Sequence, residues 1–236
     1  MSKPSWLREQ YRYCKRLCRT FLGQDTGVSV QIKCSKMRLG NDRARWCISP
    51  GSISPPSVVY SFGIGEDLSF DLELIRRFGV WVHAFDPTPR SIEWLKSQEL
   101  PEQFVFHDFG VADYDGIATF NPPENSAHVS YSVVSRDSAS GSAVKAPVRR
   151  LTTIMKALGH QSIDLLKMDI EGAEYNVISD LLSSRVQVDQ LLVEFHHRWP
   201  EIGLLKTRHT VDQLNSAGFR IFDISPSGEE FSFKKL

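Results

Sequence analysis

Long apolar runs are missing from this chain of 236 residues. None approaches the about 18 to 20 apolar residues that a helix needs to cross a bilayer, and Met1 to Gly23 lacks the apolar stretch of a secretory signal. The expectation is a soluble, cytoplasmic protein. Net charge is missing as well: 28 Lys and Arg balance 28 Asp and Glu, so the overall field gives no reason to expect nucleic acid as a partner. Cysteine is scarce. The four present all fall between Cys14 and Cys47 with no CxxC pair, too few and too local for a disulfide framework and the wrong spacing for a zinc site.

What is present suffices for one good core. With 41% hydrophobic residues, a chain of this length needs no second domain. Its charge is uneven, however: residues 1 to 50 hold 11 Lys and Arg against 3 Asp and Glu, so a basic arm precedes an acidic remainder. The start of that arm places Trp6, Tyr13, Leu17 and Phe21 on one side and arginines around the rest, which predicts an amphipathic helix. The favoured arrangement packs the apolar side on the main domain and leaves the charges in water; a peripheral membrane contact is the other. Residues 1–57 are thus read as arm and lead-in and 58–236 as the main domain. A chain starting near Ser54 is expected to keep the ligand site.

Polar residues gather where predicted strands end. Ile163 to Met168 is an apolar run that delivers Asp169, Glu171 and Glu174 to its far edge, with Gly172 ahead of a helix. Ligands of open parallel sheets sit beyond such strand ends. Earlier, Val58 to Tyr60 leads into Gly63 and Gly65 and then a helix, a turn that lets the backbone approach a ligand and offers free N–H groups. A dinucleotide fingerprint would place a third glycine where Leu68 stands. The next strand ends at Asp86, 21 residues past Gly65, the spacing at which an acid holds ribose hydroxyls. A nucleoside is therefore the leading ligand. A third strand ends at Asp108, residues 121–147 read as a long binding loop, and Leu191 to Phe195 forms a strand whose end gathers Glu194, His196 and His197. The last two strands are joined too closely for a parallel crossover and predict an antiparallel hairpin.

VVYSFGIGEDLSFD, HAFDPTPRSIEWL, LLKMDIEGAEYNVI and LLVEFHHR, in that order, with MRLGNDRARWC before them, resemble the FkbM-type methyltransferases, in particular the methyltransferase-like-24-type branch. The resemblance implies an α/β, Rossmann-like class I methyltransferase fold with a seven-stranded, mostly parallel sheet. It implies S-adenosylmethionine as cofactor, with Gly63, Gly65 and Glu66 at its amino-acid end, Asp86 on the ribose, Asp108 near the adenine and Asp169 beside the methyl group. The acid usual two residues before the first glycine is Ser61 here, and Glu66 or Asp67 would stand in for it. Moving a methyl group to a hydroxyl of a small molecule or glycan requires a base, and His196, Glu194 and Glu171 are the candidates. A divalent cation on Asp169, Glu171 and a later side chain is the variant reading; the expectation is that no metal is used. A nicotinamide-dependent oxidoreductase and a non-catalytic binding module are the rival functions on the same fold.

Overall fold

The computed structural model describes residues 5–42, 44–121 and 143–236. In chain order the elements are α1 (Ser5–Phe21), β1 (Met37–Leu39), β2 (Trp46–Ile48), β3 (Val58–Phe62), α2 (Ser69–Phe78), β4 (Trp81–Phe85), α3 (Pro89–Leu95) and β5 (Phe104–His107). There follow β6 (Gly110–Val111), β7 (Gly116–Phe120), β8 (Val144–Arg149), α4 (Leu151–Leu158), β9 (Ile163–Met168) and α5 (Glu174–Ser183). The chain ends with β10 (Val188–Glu194), α6 (Gly203–Ser216), β11 (Phe219–Ile224) and β12 (Glu230–Lys235).

Seven strands form the main sheet in the order β11-β12-β10-β9-β3-β4-β5. From β10 to β5 every pairing is parallel, while β12 is antiparallel to both its neighbours. This is the expected Rossmann-like α/β fold, a seven-stranded, mostly parallel sheet with a terminal antiparallel hairpin. The chain builds outward from β3 through β4 to β5, then returns to β9 on the other flank of β3 and builds toward β10. The order reverses between β3 and β9, and a crevice opens beyond the carboxyl ends of strands at such a switch point.

Side-chain alternation explains the two core layers. Tyr60, Phe62, Leu166 and Met168 pack with α4, α5 and α6 on one face, while Val59 and Leu165 pack with α2 on the other. That second layer also takes Leu39, Trp46, Ile48 and Ile53 from the lead-in, and buried Gln190 of β10 exchanges hydrogen bonds with the Ser49 backbone. A chain starting near Ser54 would therefore uncover the apolar face of the sheet. Its expected outcome is loss of folding, read as a collapsed circular dichroism melt; a cooperative melt near that of the full chain would contradict this packing.

Two expectations need correction. Residues 144–147 are strand rather than loop, because Val144, Ala146 and Val148 alternate inward and β8 pairs with β7. Pro147 disguises the pattern, and it is tolerated because β6 pairs only at Val148 and Arg149, leaving β8 edge-like at the proline. Residues 122–142 of the proposed binding loop fall outside the described residues. The second correction concerns α1, which forms as expected but turns the other way. Tyr13, Leu17 and Phe21 of its apolar side are 50%, 51% and 91% exposed; the side chain of Trp6 lies outside the described set. The inward face is polar: Arg16 donates to the backbone oxygens of Val28 and Ser225 and faces Asp25, and Glu9 pairs with Arg45. The arginine side of the arm is drawn inward by Asp25 and by the backbone carbonyls of Val28 and Ser225. Among the described residues no helix is long and apolar enough to cross a membrane.

On the α4 side of the sheet, His83 and His160 pack against Tyr60, and His107 stacks on His83. Its hydroxyl lies 2.7 Å from His160 Nδ1, and His83 Nδ1 lies 3.1 Å from His107 Nε2. Burial, then repulsion from His107 and His160, lowers the His83 pKa from the usual 6.5 to about 4. The folded state therefore prefers neutral His83, and its contribution to stability, complete above about 6.5, is lost as pH falls toward 4. In an NMR titration the His83 ring protons are expected to stay at their neutral shifts down to about 5. A midpoint near 6.5 would mean that the ring is solvated.

Candidate functional site

The crevice at the switch point has a volume of about 230 Å³. Among the segments that line it are the glycine turn after β3, Asp86 to Thr88 after β4, the Asp169 to Glu171 turn after β9, Glu194 at the end of β10, and Ala44 to Trp46 from the lead-in. The sequence reading thus has Gly63, Gly65, Glu66, Asp86, Asp169, Glu171 and Glu194 all at one place. Asp108 is exposed and does not line the crevice. His196 sits behind it, against Glu171 and Glu174.

The two glycines of the turn have different reasons. Gly63 has φ +76°, and a Cβ there would stand 1.6 Å from the carbonyl oxygen of Asp169. Its constraint is the neighbouring strand end, since the Gly63 N–H donates to Phe85 O and the Asp169 N–H to Phe62 O. Gly65, at φ +53°, has open space where a Cβ would be, so it is the one that keeps the crevice wall bare. Its N–H donates to Asp86 Oδ2 at 3.0 Å. Asp86 Oδ1 accepts from the N–H and hydroxyl of Thr88 at 2.9 and 2.6 Å. Asp86, 4% exposed, therefore ties the glycine turn to the start of α3 while still facing the crevice.

The stand-ins for the missing acid are both engaged. Glu66 pairs with Arg90 at 2.8 Å, and Asp67 accepts from Asn41 Nδ2 and the Ser69 N–H. Asp71, which the sequence reading missed, lies in the first turn of α2, lines the crevice and is 1% exposed, yet its Oδ1 has no hydrogen-bond partner among the described residues. Burial raises its pKa against the pull of Lys167. Lys167 was missed too. It is 5% exposed near the carboxyl end of β9, donates to Gly63 O at 2.8 Å and Phe62 O at 3.3 Å, and lies 5.2 Å from the Trp46 ring centre. The signal available was a lysine inside the otherwise apolar LLKM run.

The turn after β9 is built around a buried carboxylate. Glu174, 0% exposed, accepts the N–H groups of Ile170 and Gly172 at 3.0 Å each. That closes the turn and holds Glu171 at φ +52°, a left-handed conformation that a non-glycine residue adopts only where the surroundings enforce it. His196 lies between the two, Nδ1 3.1 Å from Glu174 Oε1 and Nε2 3.3 Å from Glu171 Oε2. Burial opposes protonation of His196, but the charges of Glu174 and Glu171 outweigh it and raise its pKa well above 6.5. Burial, with the Glu171 charge and against Lys167, lifts Asp169 to about 6; burial, then Asp169 and Glu230, raises Glu194 well above the carboxylate range. His197, which the strand end also presents, is 2% exposed and held near 4, chiefly by burial.

Comparison with known proteins adds three findings. Residues 58–221 match the model of the methyltransferase FkbM domain. The chain is 32% identical over 175 residues to rat "Probable methyltransferase-like protein 24", covering 70% of this chain and 42% of that protein. It is 30% identical over 148 residues to the human protein of the same name, covering 60% of this chain and 33% of that one. The chain thus spans less than half the length of these relatives. Among solved structures it is similar to Aeropyrum pernix fibrillarin with natively bound S-adenosyl-L-methionine, at 9% identity and a TM-score of 0.42 over 78% of this chain and 68% of that one.

Proposed function

This chain belongs to the FkbM methyltransferase family, and on that premise we propose that it transfers a methyl group from S-adenosylmethionine to a hydroxyl of a small molecule or glycan. The observation that carries the reading is the pair of acids that line the crevice: Asp71, with a buried oxygen lacking a partner among the described residues, and Asp86 beside the bare Gly65 turn. An unpaired buried acceptor costs free energy unless a donor reaches it. The cofactor's ammonium group is such a donor, so Asp71 takes the place first expected of Glu66. Asp86 would hold the ribose hydroxyls. Gly110, Val111 and Phe120 give the crevice an apolar wall beyond Asp86, suited to the adenine, in place of Asp108.

Bound there, the cofactor supplies an electrophilic sulfonium methyl group. The acidic far end of the crevice favours that cation by Coulomb attraction. Glu194 and Glu171 face the crevice and are the groups able to take a proton from a hydroxyl acceptor. His196, which does not line it, acts on this reading as a positioning residue for Glu171. The place where a nicotinamide fingerprint needs glycine is filled by Leu68, 4% exposed and packed in the core.

Asp86→Ala is expected to weaken S-adenosylmethionine binding by about 1 to 3 kcal/mol, the loss of hydrogen bonds to a charged group. Isothermal titration calorimetry reads this directly. Asp71→Asn should weaken the same binding without disturbing the glycine turn. Unchanged affinity in both folded variants would remove the cofactor from this crevice.

A further inference from the structure

We propose that Asp169, Glu171 and His196 form a binding site for a hard divalent cation of the magnesium or manganese class. One ligating atom from each lies within 4.8 Å of the others, and bonds of about 2.1 Å to a shared ion need only small side-chain rotations from there. Two carboxylates and one imidazole favour such an ion over a soft, thiolate-seeking one.

Grouped acids alone would say little; the histidine is the independent observation. His196 is 8% exposed, and its buried Nδ1 has no well-aligned hydrogen bond among the described residues, although Glu174 Oε1 is only 3.1 Å away. Its other nitrogen faces Glu171. Drawn toward an ion through Nε2, the ring would bring its Nδ1–H onto Glu174, completing the carboxylate, histidine and metal relay that fixes the tautomer of ligating histidines. Glu174 is already immobile, gripped by two backbone N–H groups. Charge points the same way. Asp169, Glu171, Glu194 and Glu230 line the same crevice, with Glu194 and Glu230 opposite each other in the sheet and Glu174 behind them against His196. The charge of Lys167 offsets part of this acidity at Asp169, and a dication would offset more. The cation site shares Glu171 and His196 with the methyl-transfer proposal, but its cation binding does not require the cofactor.

Manganese is the probe, because its electron paramagnetic resonance signal falls on binding. The full chain at neutral pH should take up one equivalent, with or without S-adenosylmethionine. Glu171→Gln, His196→Asn and Asp169→Asn, each checked for folding by circular dichroism, should weaken uptake at least about tenfold. Glu93→Gln, on the exposed side of α3, should leave it unchanged. No uptake by the folded wild-type chain at millimolar manganese, or full uptake by any folded variant of the three, overturns the site. Cofactor affinity measured in the presence of EDTA on the same preparation tests the methyl-transfer reading separately.

Discussion

Gly63→Ala is expected to destabilise the chain by about 4 kcal/mol or more, in the range reserved for severe backbone conflicts. The added methyl would stand 1.6 Å from Asp169 O and 2.7 Å from its carbonyl carbon, and neither partner can give way cheaply. Gly63 is pinned by its bond to Phe85 O, and Asp169 by its bond to Phe62 O, so relief requires parting β3 from β9 at the switch point itself. Gly65→Ala makes the contrast. It carries the positive φ but meets nothing, and should cost about 1 to 2 kcal/mol for the left-handed backbone alone. Urea denaturation of the two variants checks the difference, and equal costs would mean that the strand ends are not in contact.

Lys167→Met is expected to cost about 3 to 5 kcal/mol, as removal of one buried charge leaves its partners uncompensated. The ammonium is the donor to Phe62 O and Gly63 O, and its charge opposes the burial penalty of both Asp71 and Asp169. Methionine fills the space and satisfies none of these. Adding Asp71→Asn should recover part of the loss, because one of the stranded acids is then neutral. A cost below about 1 kcal/mol in the single variant, or no recovery in the double, would show that Lys167 is not holding this charge balance.

These two residues mark how far the sequence could be read. Strand ends were legible because apolar runs stop abruptly at polar residues, and β9 and β10 do lie side by side with Leu191 opposite Leu166. That adjacency brought Glu194 near Asp169 and Glu171 as expected. The reason for Gly63 was not legible, because it depends on a contact with a residue more than a hundred positions away. Asp71 looked like an ordinary acid in the first turn of a helix; only the packing of α2 against the crevice shows it buried, with its Oδ1 lacking a partner among the described residues. Likewise His196 read as a strand-end histidine facing the ligand, whereas the left-handed turn at Glu171 sets a carboxylate in front of it. The arm gave its helix but not its orientation. A hydrophobic pattern says which residues share a face and not which face a charged neighbour attracts, and here Asp25 and the Val28 and Ser225 carbonyls attract the arginine side.

The central claim, that the crevice between β3 and β9 is an S-adenosylmethionine site, is tested most directly by native mass spectrometry. The full chain is sprayed with S-adenosylmethionine and with a nicotinamide dinucleotide in separate runs, beside Asp86→Ala and Asp71→Asn. The account predicts one S-adenosylmethionine retained by the wild type, markedly less by each variant, and no retained dinucleotide. A folded wild-type chain that retains no S-adenosylmethionine, or that retains the dinucleotide in its place, would contradict it.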